Sequence, residues 1–485
     1  MQEGERLMRR TFRRIVLFLS AFFPAFAVLL GTVGNWKHKS YFLALFAAVI
    51  LLTLISIVCR KELSLYEMIE RRNPIHVCLL MSVVCLLLNG AWVLMFHPIQ
   101  APDYQTFFQA ALDLANGRSL SGKDYLAMFP HILGYAAFLS VFLRLFGESL
   151  MTAALVNVVL TTLSGVLLYA LSLKFCGRKS AFMAFMFWMI CPSKMLYNAM
   201  SLSEPFYTCL LLLFFLLAAE TMEIRQTGGW ERKVVAAGLL SGLTLGLVNA
   251  ARPIGIIPII AFFVWLLFLS DWKTVLTRKK TVMLFSCLFL LAYIATGRIW
   301  NSYATEKLEQ TPPSVPGYSI YVGFNPRTQG SYADEDMDLL QSRYFGEFGR
   351  NAEAAQRSML ESAKTRITEN RNNIPGLMIH KLGTLLGHDE GGAFYSKDGL
   401  SDRAYSLWCI ASNIWYYLVC LLAVAGCLKM WKNPPGNSFM VIPLCLIGIV
   451  LAQLLVEVAA RYHYCLIPML LLLASPALKK RHPPV

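Results

Sequence analysis

Apolar residues fall in runs of about twenty, separated by short polar breaks, from Ile15 to Leu478. An α-helix needs about 20 residues to cross the hydrocarbon core of a bilayer. The pattern therefore predicts spans at 15–34, 41–59, 75–96, 149–172, 180–198, 205–221, 234–251, 254–270, 281–299, 406–429, 438–456 and 462–478. The expected fold class is an all-α polytopic membrane protein with about 12 transmembrane helices. One more apolar segment, 130–146, is expected to lie along the interface as a helix opening at Pro130, with Arg144 near its end. Were it a span, the basic loop at 174–180 would change sides and every later loop would invert; hydropathy alone leaves that alternative open.

Composition sharpens this picture. Of 485 residues, 56% are hydrophobic and 15% charged, and the mean hydropathy is +0.53; ordinary soluble proteins carry about 25% charged residues. A soluble enzyme is excluded. Lys and Arg outnumber Asp and Glu by 44 to 29, yet the polar stretch 300–405 holds 11 Lys/Arg against 14 Asp/Glu, so the basic excess lies in the termini and short loops. The clusters Arg9 to Arg14, Arg60 to Arg72, Lys174 to Lys179, Arg225 to Lys233, Lys273 to Lys280, Lys429 with Lys432, and Lys479 to Arg481 all fall on one side of the predicted topology. That side is expected to be cytoplasmic, with both chain ends in it. Lys37 and Lys39 run against the trend. No basic arm interleaved with aromatics points to nucleic acid. All 12 Cys lie in or beside apolar segments and form no C-x-x-C pair, which speaks against a disulfide framework or a zinc site. The N-terminal apolar run reaches Leu30 without a small-residue cleavage site and is expected to stay as an anchor.

The chain divides into 1–73, two N-terminal spans with a cytoplasmic loop; 74–299, a core whose first outer loop lies at 97–130; 300–405, an extracytoplasmic loop region; and 406–485, three C-terminal spans. A loop of about a hundred residues is too long for a connector and is expected to be functional. It opens with a Pro-rich stretch, continues with a helical pattern from about Asp336 to Asn370 that Pro375 should end, and turns interfacial again at 376–387.

Charged groups at the edge of a bilayer cost free energy and so direct attention. Asp103 follows the third span and precedes Tyr104, Phe107, Phe108, Ala111 and Leu114, which share a helix face. It could accept a proton from a hydroxyl or amine, or simply cap that helix. Glu204, before Pro205, could act in a site or just favour a helix N-terminus. Glu457, Arg461, Tyr462 and His463 gather at the outer end of the last two spans; Arg461 could grip a phosphate or pair with Glu457. Arg252 is an isolated cation in a tight outer turn, and His131 heads the interfacial helix. Asp124 and Lys123 could extend the acidic cluster or be solvated turn residues. Lys381, His388, Asp389 and Glu390 have no metal-site spacing, the acidic run at 334–338 is no EF-hand, and no P-loop, dinucleotide fingerprint or G-x-S-x-G is present.

In order along the chain, Asp103-Tyr104, the segment FPHILGYAAFLSVFLRLFG at 129–147, Ser203-Glu204-Pro205 and Arg461-Tyr462 resemble the GT-C superfamily of integral membrane glycosyltransferases. The similarity is to the bacterial relatives of the protein O-mannosyltransferases and of the aminoarabinose transferase that modifies lipid A. It covers residues 75 to 478. Departures are Phe129-Pro130-His131 where members usually carry Pro-Pro-Leu, two additional spans in front, and no convincing second acid in the first loop, so that Asp124 is only a candidate there. The resemblance implies an inverting hexosyl- or pentosyltransferase, mannosyltransferase-like, acting in cell-envelope glycosylation. It would move a sugar from a polyprenyl-phosphate donor to a glycan, lipid or protein acceptor on the outer face of the plasma membrane. Asp103 would be the base and Glu204 would orient sugar or acceptor. Tyr104, Asp124, His131, Arg252, Glu457, Arg461, Tyr462 and His463 would bind substrate, with Arg461 on the phosphate. No cofactor is expected, although a divalent ion serves some members of the superfamily. A transporter or lipid flippase, or a polymerase or ligase of lipid-linked glycans, are the alternatives.

Overall fold

A computed structural model of the protein describes residues 2–34, 38–60, 69–224, 226 and 228–478, with 2–3, 58–60 and 272–274 as backbone only. Lys37, residues 61–68 of the Arg60–Arg72 cluster, Arg225 and Lys479 to Arg481 lie outside the described residues, as do the side chains of Arg60 and Lys273. All regular structure among the described residues is helical. In chain order the helices are α1 (Gln2–Gly34), α2 (Lys39–Arg60), α3 (Pro74–Met95), α4 (Pro102–Ala115), α5 (Asp124–Met128), α6 (His131–Phe146), α7 (Leu150–Cys176), α8 (Arg178–Met189), α9 (Pro192–Tyr197), α10 (Glu204–Thr221), α11 (Trp230–Ala251) and α12 (Ile256–Val264). They continue as α13 (Trp272–Thr277), α14 (Lys279–Leu308), α15 (Gly317–Gly323), α16 (Asp334–Ser342), α17 (Ala352–Glu369), α18 (Ile374–Leu386), α19 (Gly391–Tyr395), α20 (Asp402–Trp431), α21 (Val441–Leu455) and α22 (Leu466–Ala474).

Among the described residues nine helices are long and apolar enough to cross a membrane: α1, α2, α3, α7, α10, α11, α14, α20, and α21 with the turn before it. The protein is a multi-pass membrane protein. Three of the twelve expected spans take another form. The segment 180–198 is broken at Ile190–Cys191, where Pro192 cannot continue the hydrogen-bond ladder and holds Cys191 extended. The segment 254–270 is α12 followed by a π turn at Trp265–Leu269, and 462–478 is α22 ending in a 3₁₀ turn. The 130–146 segment is a short apolar helix, α6, packed against α4, α7 and α11. The single helix expected at 336–370 is two. It breaks at Gly349 and Arg350, both with positive φ, and α17 restarts behind Asn351, whose side chain caps Ala354 N–H. Pro375 opens α18 instead of closing the helix before it.

At one end of the bundle basic side chains cap helix ends. Arg9 donates to the carbonyls of Leu267 and Ser270, Arg13 to that of Leu269 at 2.6 Å, Arg10 to that of Lys432 at 2.7 Å, and Arg14 to that of Trp431. Arg13 also pairs with Asp271 at 2.7 Å, and Lys174 with Glu220 and Glu223. Cations at the negative ends of helix dipoles are stabilised there.

The opposite end carries both long polar regions, and they form one body. Ala127 and Met128 of the first share a core with Tyr318, Val322, Met337, Leu340, Tyr344, Ala352, Ala355 and Met359 of the second. Gln356 ties them, accepting from Tyr318 N–H at 2.8 Å and donating to the Met128 carbonyl at 3.2 Å. This body is stitched to the chain after α21: Glu457 N–H donates to the Ser319 carbonyl at 2.7 Å and Val458 N–H to that of Gly330 at 3.0 Å. Gly323 makes the approach possible, since a Cβ on it would sit 2.5 Å from the Val456 carbonyl carbon. Replacing Gly323 with Val should therefore push the outer body off the 456–458 segment and cost about 1–3 kcal/mol. Thermal unfolding of the detergent-purified variant measures this, and an unchanged midpoint would refute the close contact.

Candidate active site

α4 starts with Ala101 as a cap that makes no side-chain bond, then Pro102 and Asp103, so Asp103 is not the cap but lies in the first turn. A carboxylate there is favoured by the helix dipole. Its Oδ2 accepts from Arg461 Nη2 at 2.7 Å; the side chain is 48% exposed. Glu204 begins α10, buried, with Oε1 3.9 Å from Arg461 Nε and Oε2 accepting from Ser203 Oγ at 3.5 Å. The Arg461 guanidinium is 9% exposed and faces three tyrosine rings, with its carbon 5.5 Å from Tyr104, 5.6 Å from Tyr395 and 5.5 Å from Tyr462. Arg252 lies 4.1 Å over the other ring partner, Tyr462. Nε and Nη1 of Arg461 have no hydrogen-bond partner of normal geometry among the described residues, and the Tyr104 hydroxyl faces the guanidinium. Two buried N–H donors left open on a cation suit an anion with several acceptor oxygens.

Arg461 is presented by a rigid turn. Val456 and Ala459 are extended, and Ala460–His463 forms a 3₁₀ turn. Lys381 of α18 pins its approach: Nζ donates to the carbonyls of Gly323, Leu454 and Val456 at 2.9, 2.8 and 2.6 Å. Burial pushes the Lys381 ammonium down to about 7, while three carbonyl acceptors fill all three of its donors. His463 pins the far side. Its Nδ1 meets the Leu385 carbonyl at 2.7 Å and its Nε2 the Asp389 carboxylate at 3.0 Å, and Tyr416 stacks on the ring. Asp389 also accepts from Ser193 Oγ at 2.5 Å.

The structure thus brings Asp103, Tyr104, Glu204, Arg252, Arg461 and Tyr462 together at one end. Glu457 and His131 join them at the edge. Burial pushes the Glu457 carboxyl up, with Arg461 and Arg252 pulling it back. Burial pushes the His131 imidazole down to about 3, with Arg252 and Arg461 adding to the effect, which leaves it neutral. Asp124 and His463 are not part of the cluster. Asp124 accepts from the Tyr344 hydroxyl at 2.9 Å and lies 3.8 Å from Arg350, holding the two polar regions together; His463 points inward. Sequence reasoning missed Tyr395, since an adjacent Phe-Tyr pair in the turn-rich GGAFYSKDG has no periodic signature, and it weighed Lys381 only as a metal ligand. A cavity of about 480 Å³ lies away from the cluster, on the outer body between Tyr321 and Arg366.

No family model matches the sequence, and no curated protein matches it. Solved structures do. ArnT from Cupriavidus metallidurans bound to undecaprenyl phosphate aligns over 82% of this chain and 76% of its own, with 11% identity and a TM-score of 0.37. The Archaeoglobus fulgidus oligosaccharyltransferase tethered to an acceptor peptide with an NVT sequon aligns over 82% and 49%, with 13% identity and a TM-score of 0.44. The oligosaccharyltransferase AglB of Archaeoglobus fulgidus with an inhibitory peptide and a dolichol-phosphate gives 82% and 50%, 12% and 0.42. The chain spans about half the length of the archaeal proteins.

Removing the Arg461 charge strands the buried Glu204 carboxylate. Arg461→Met should cost about 3–5 kcal/mol, and Glu204→Gln in the same chain should recover most of it. A thermal double-mutant cycle reads the coupling; independent effects at the two positions would show that the pair does not interact.

Proposed function

We propose that the protein is an integral membrane glycosyltransferase that transfers a sugar from a polyprenyl-phosphate donor to an acceptor hydroxyl on the extracytoplasmic face, with inversion at the anomeric carbon. The observation that carries this reading is the buried Arg461 guanidinium, with Nε and Nη1 unpartnered and Asp103 hydrogen-bonded to Nη2. The donor phosphate would take the two open N–H groups, with Arg252 adding positive potential from behind Tyr462. Phosphate is already a stable anion, so its departure calls for charge stabilisation more than for a strong general acid.

The acceptor oxygen attacks the anomeric carbon and its proton passes to Asp103. The electron pair of the breaking carbon–oxygen bond stays on the phosphate, which leaves as polyprenyl phosphate. Attack opposite the leaving group, through an oxocarbenium-like transition state, inverts the configuration. Asp103 suits the role of base because Arg461 fixes one carboxylate oxygen while the half-exposed side chain keeps the other within reach of an acceptor. Glu204 holds the guanidinium in place from the buried side.

The donor set does not fit a divalent ion. The guanidinium already occupies the position between Asp103 and Glu204 that a bridging cation would need, and no three His, Cys, Asp or Glu converge among the described residues. The gathering of buried charge at a single end supports a one-sided reaction over a transport path, and the basic caps at the other end support its facing the cytoplasm.

Asp103→Asn keeps the hydrogen bond to Arg461 but cannot take a proton, so release of polyprenyl phosphate from a panel of polyprenyl-phosphate sugars should fall by about 10²–10⁴ with the folded yield intact. Wild-type turnover in this variant would remove Asp103 as base. For sidedness, a cell-impermeant maleimide should label Arg327→Cys on intact cells and leave Glu231→Cys unlabelled until the membrane is opened; the reverse pattern would put the site inside.

A further inference from the structure

The cleft beside Asp103 has no part in the chemistry above. On α4, Asp103, Thr106, Ala110 and Asp113 follow at helical spacing and share a face. Thr106, Ala110 and Asp113 line a cavity of about 350 Å³ whose other wall is the 122–126 segment, so the face that begins at Asp103 runs on into it. Tyr125 forms the join. It lines the cavity, packs against Phe129 with ring centres 4.9 Å apart, keeps 37% of its surface exposed, and feels the charges of Asp103, Glu457 and Arg461. At the far end the buried Asp113 carboxylate accepts from Gln109 Nε2 at 3.1 Å and is paired with Lys123 at 3.4 Å and Arg118 at 3.5 Å.

We propose that this cleft is the acceptor subsite of the transfer reaction and that it takes a neutral glycan, one sugar ring lying on Tyr125 with a hydroxyl directed at Asp103. The inference rests on the transfer reading and adds the acceptor's class to it. Sugars combine an apolar C–H face with hydroxyls that both donate and accept, and the two walls of the cleft supply an exposed aromatic face and an ammonium on one side and an amide and a carboxylate on the other. Its volume is within the ~300–1,000 Å³ of small-ligand sites. Arg118 and Lys123 are engaged by Asp113, and Asp103 guards the inner end, which disfavours an anionic acceptor. The larger cavity on the outer body offers no such platform, because Arg366 covers the Tyr321 ring at 3.4 Å and is itself held by Asp336 at 2.9 Å.

The test uses the full chain in lipid nanodiscs with a polyprenyl-phosphate sugar that it turns over. The probes are neutral trisaccharides of glucose, mannose, galactose and N-acetylglucosamine, with a Ser/Thr hexapeptide in parallel. At least one trisaccharide should speed polyprenyl phosphate release tenfold or more over water and gain a sugar, while the hexapeptide does neither. Tyr125→Ala should raise the KM for that trisaccharide at least tenfold with kcat changing less than threefold, and Tyr125→Phe, which keeps the ring, should restore it. Gln109→Leu should raise the same KM, which guards against a folding defect at Tyr125. No response to any trisaccharide, acceleration by the peptide, or an unmoved KM in both Tyr125→Ala and Gln109→Leu would overturn the assignment. Failure of the transfer reading itself looks different: polyprenyl phosphate would then not bind in an Arg461-dependent way.

Discussion

A guanidinium removed from water is stable only if something answers its charge, and one end of this bundle is organised around that requirement at Arg461. Asp103 answers at 2.7 Å from the exposed side and Glu204 at 3.9 Å from the buried side, while the faces of Tyr104, Tyr395 and Tyr462 surround the remaining surface. These partners come from four places in the chain: the starts of α4 and α10, the end of α19, and the turn before α22, where Arg461 and Tyr462 are neighbours. The site therefore exists only once the first loop, the middle spans and the long outer region have all docked.

The docking is carried by backbone at least as much as by side chains. The extended 456–458 segment trades hydrogen bonds with Ser319 and Gly330, and Lys381 gathers the carbonyls of Gly323, Leu454 and Val456. These carbonyls lie at the ends of α15 and α21, so without Lys381 they would be buried acceptors lacking donors. Behind the turn, His463 bridges the Leu385 carbonyl and Asp389. Both neighbours are acceptors, and the ring is held from two sides in one orientation. The result is a short turn whose backbone has little freedom and whose guanidinium is aimed by its surroundings, the condition for electrostatic catalysis without reorganisation.

The sequence was most readable where one physical requirement acts over many residues. Span positions followed from twenty-residue apolar runs, and nine such helices are present among the described residues. It was less readable where a proline or glycine competed with that pattern. Pro192 splits what hydropathy alone counts as one span, and the Gly349–Arg350 break divides a stretch whose apolar spacing is continuous. Asp103, Glu204 and Arg461 stood out because charge near a bilayer edge is costly, whatever the fold. Tyr395 carried no such signal, since an aromatic residue in a membrane protein is common and its place is decided by contacts 291 to 66 positions away, at Tyr104 and Arg461. Asp124 was no more legible: an acid close in sequence to Asp103 is turned by α5 toward Tyr344, into the packing between the two polar regions, and lines the neighbouring cleft instead of meeting Arg461.

The contrast between the two buried cations of this end separates structure from function. Lys381 and Arg461 lie on neighbouring segments, and both are shielded from water. Lys381 has three donors and three carbonyls within 2.9 Å, so nothing is left for a ligand. Arg461 has a carboxylate on one terminal nitrogen, while Nε and the other terminal nitrogen have no hydrogen-bond partner among the described residues. A buried donor without an acceptor costs about 1–3 kcal/mol, and here that cost falls on a group fixed by a rigid turn and flanked by a half-exposed carboxylate. A purely structural arginine would gain by turning its donors to carbonyls as Lys381 does. One that must receive an anionic ligand gains by keeping them open, because the ligand then replaces an unmet interaction instead of displacing a satisfied one.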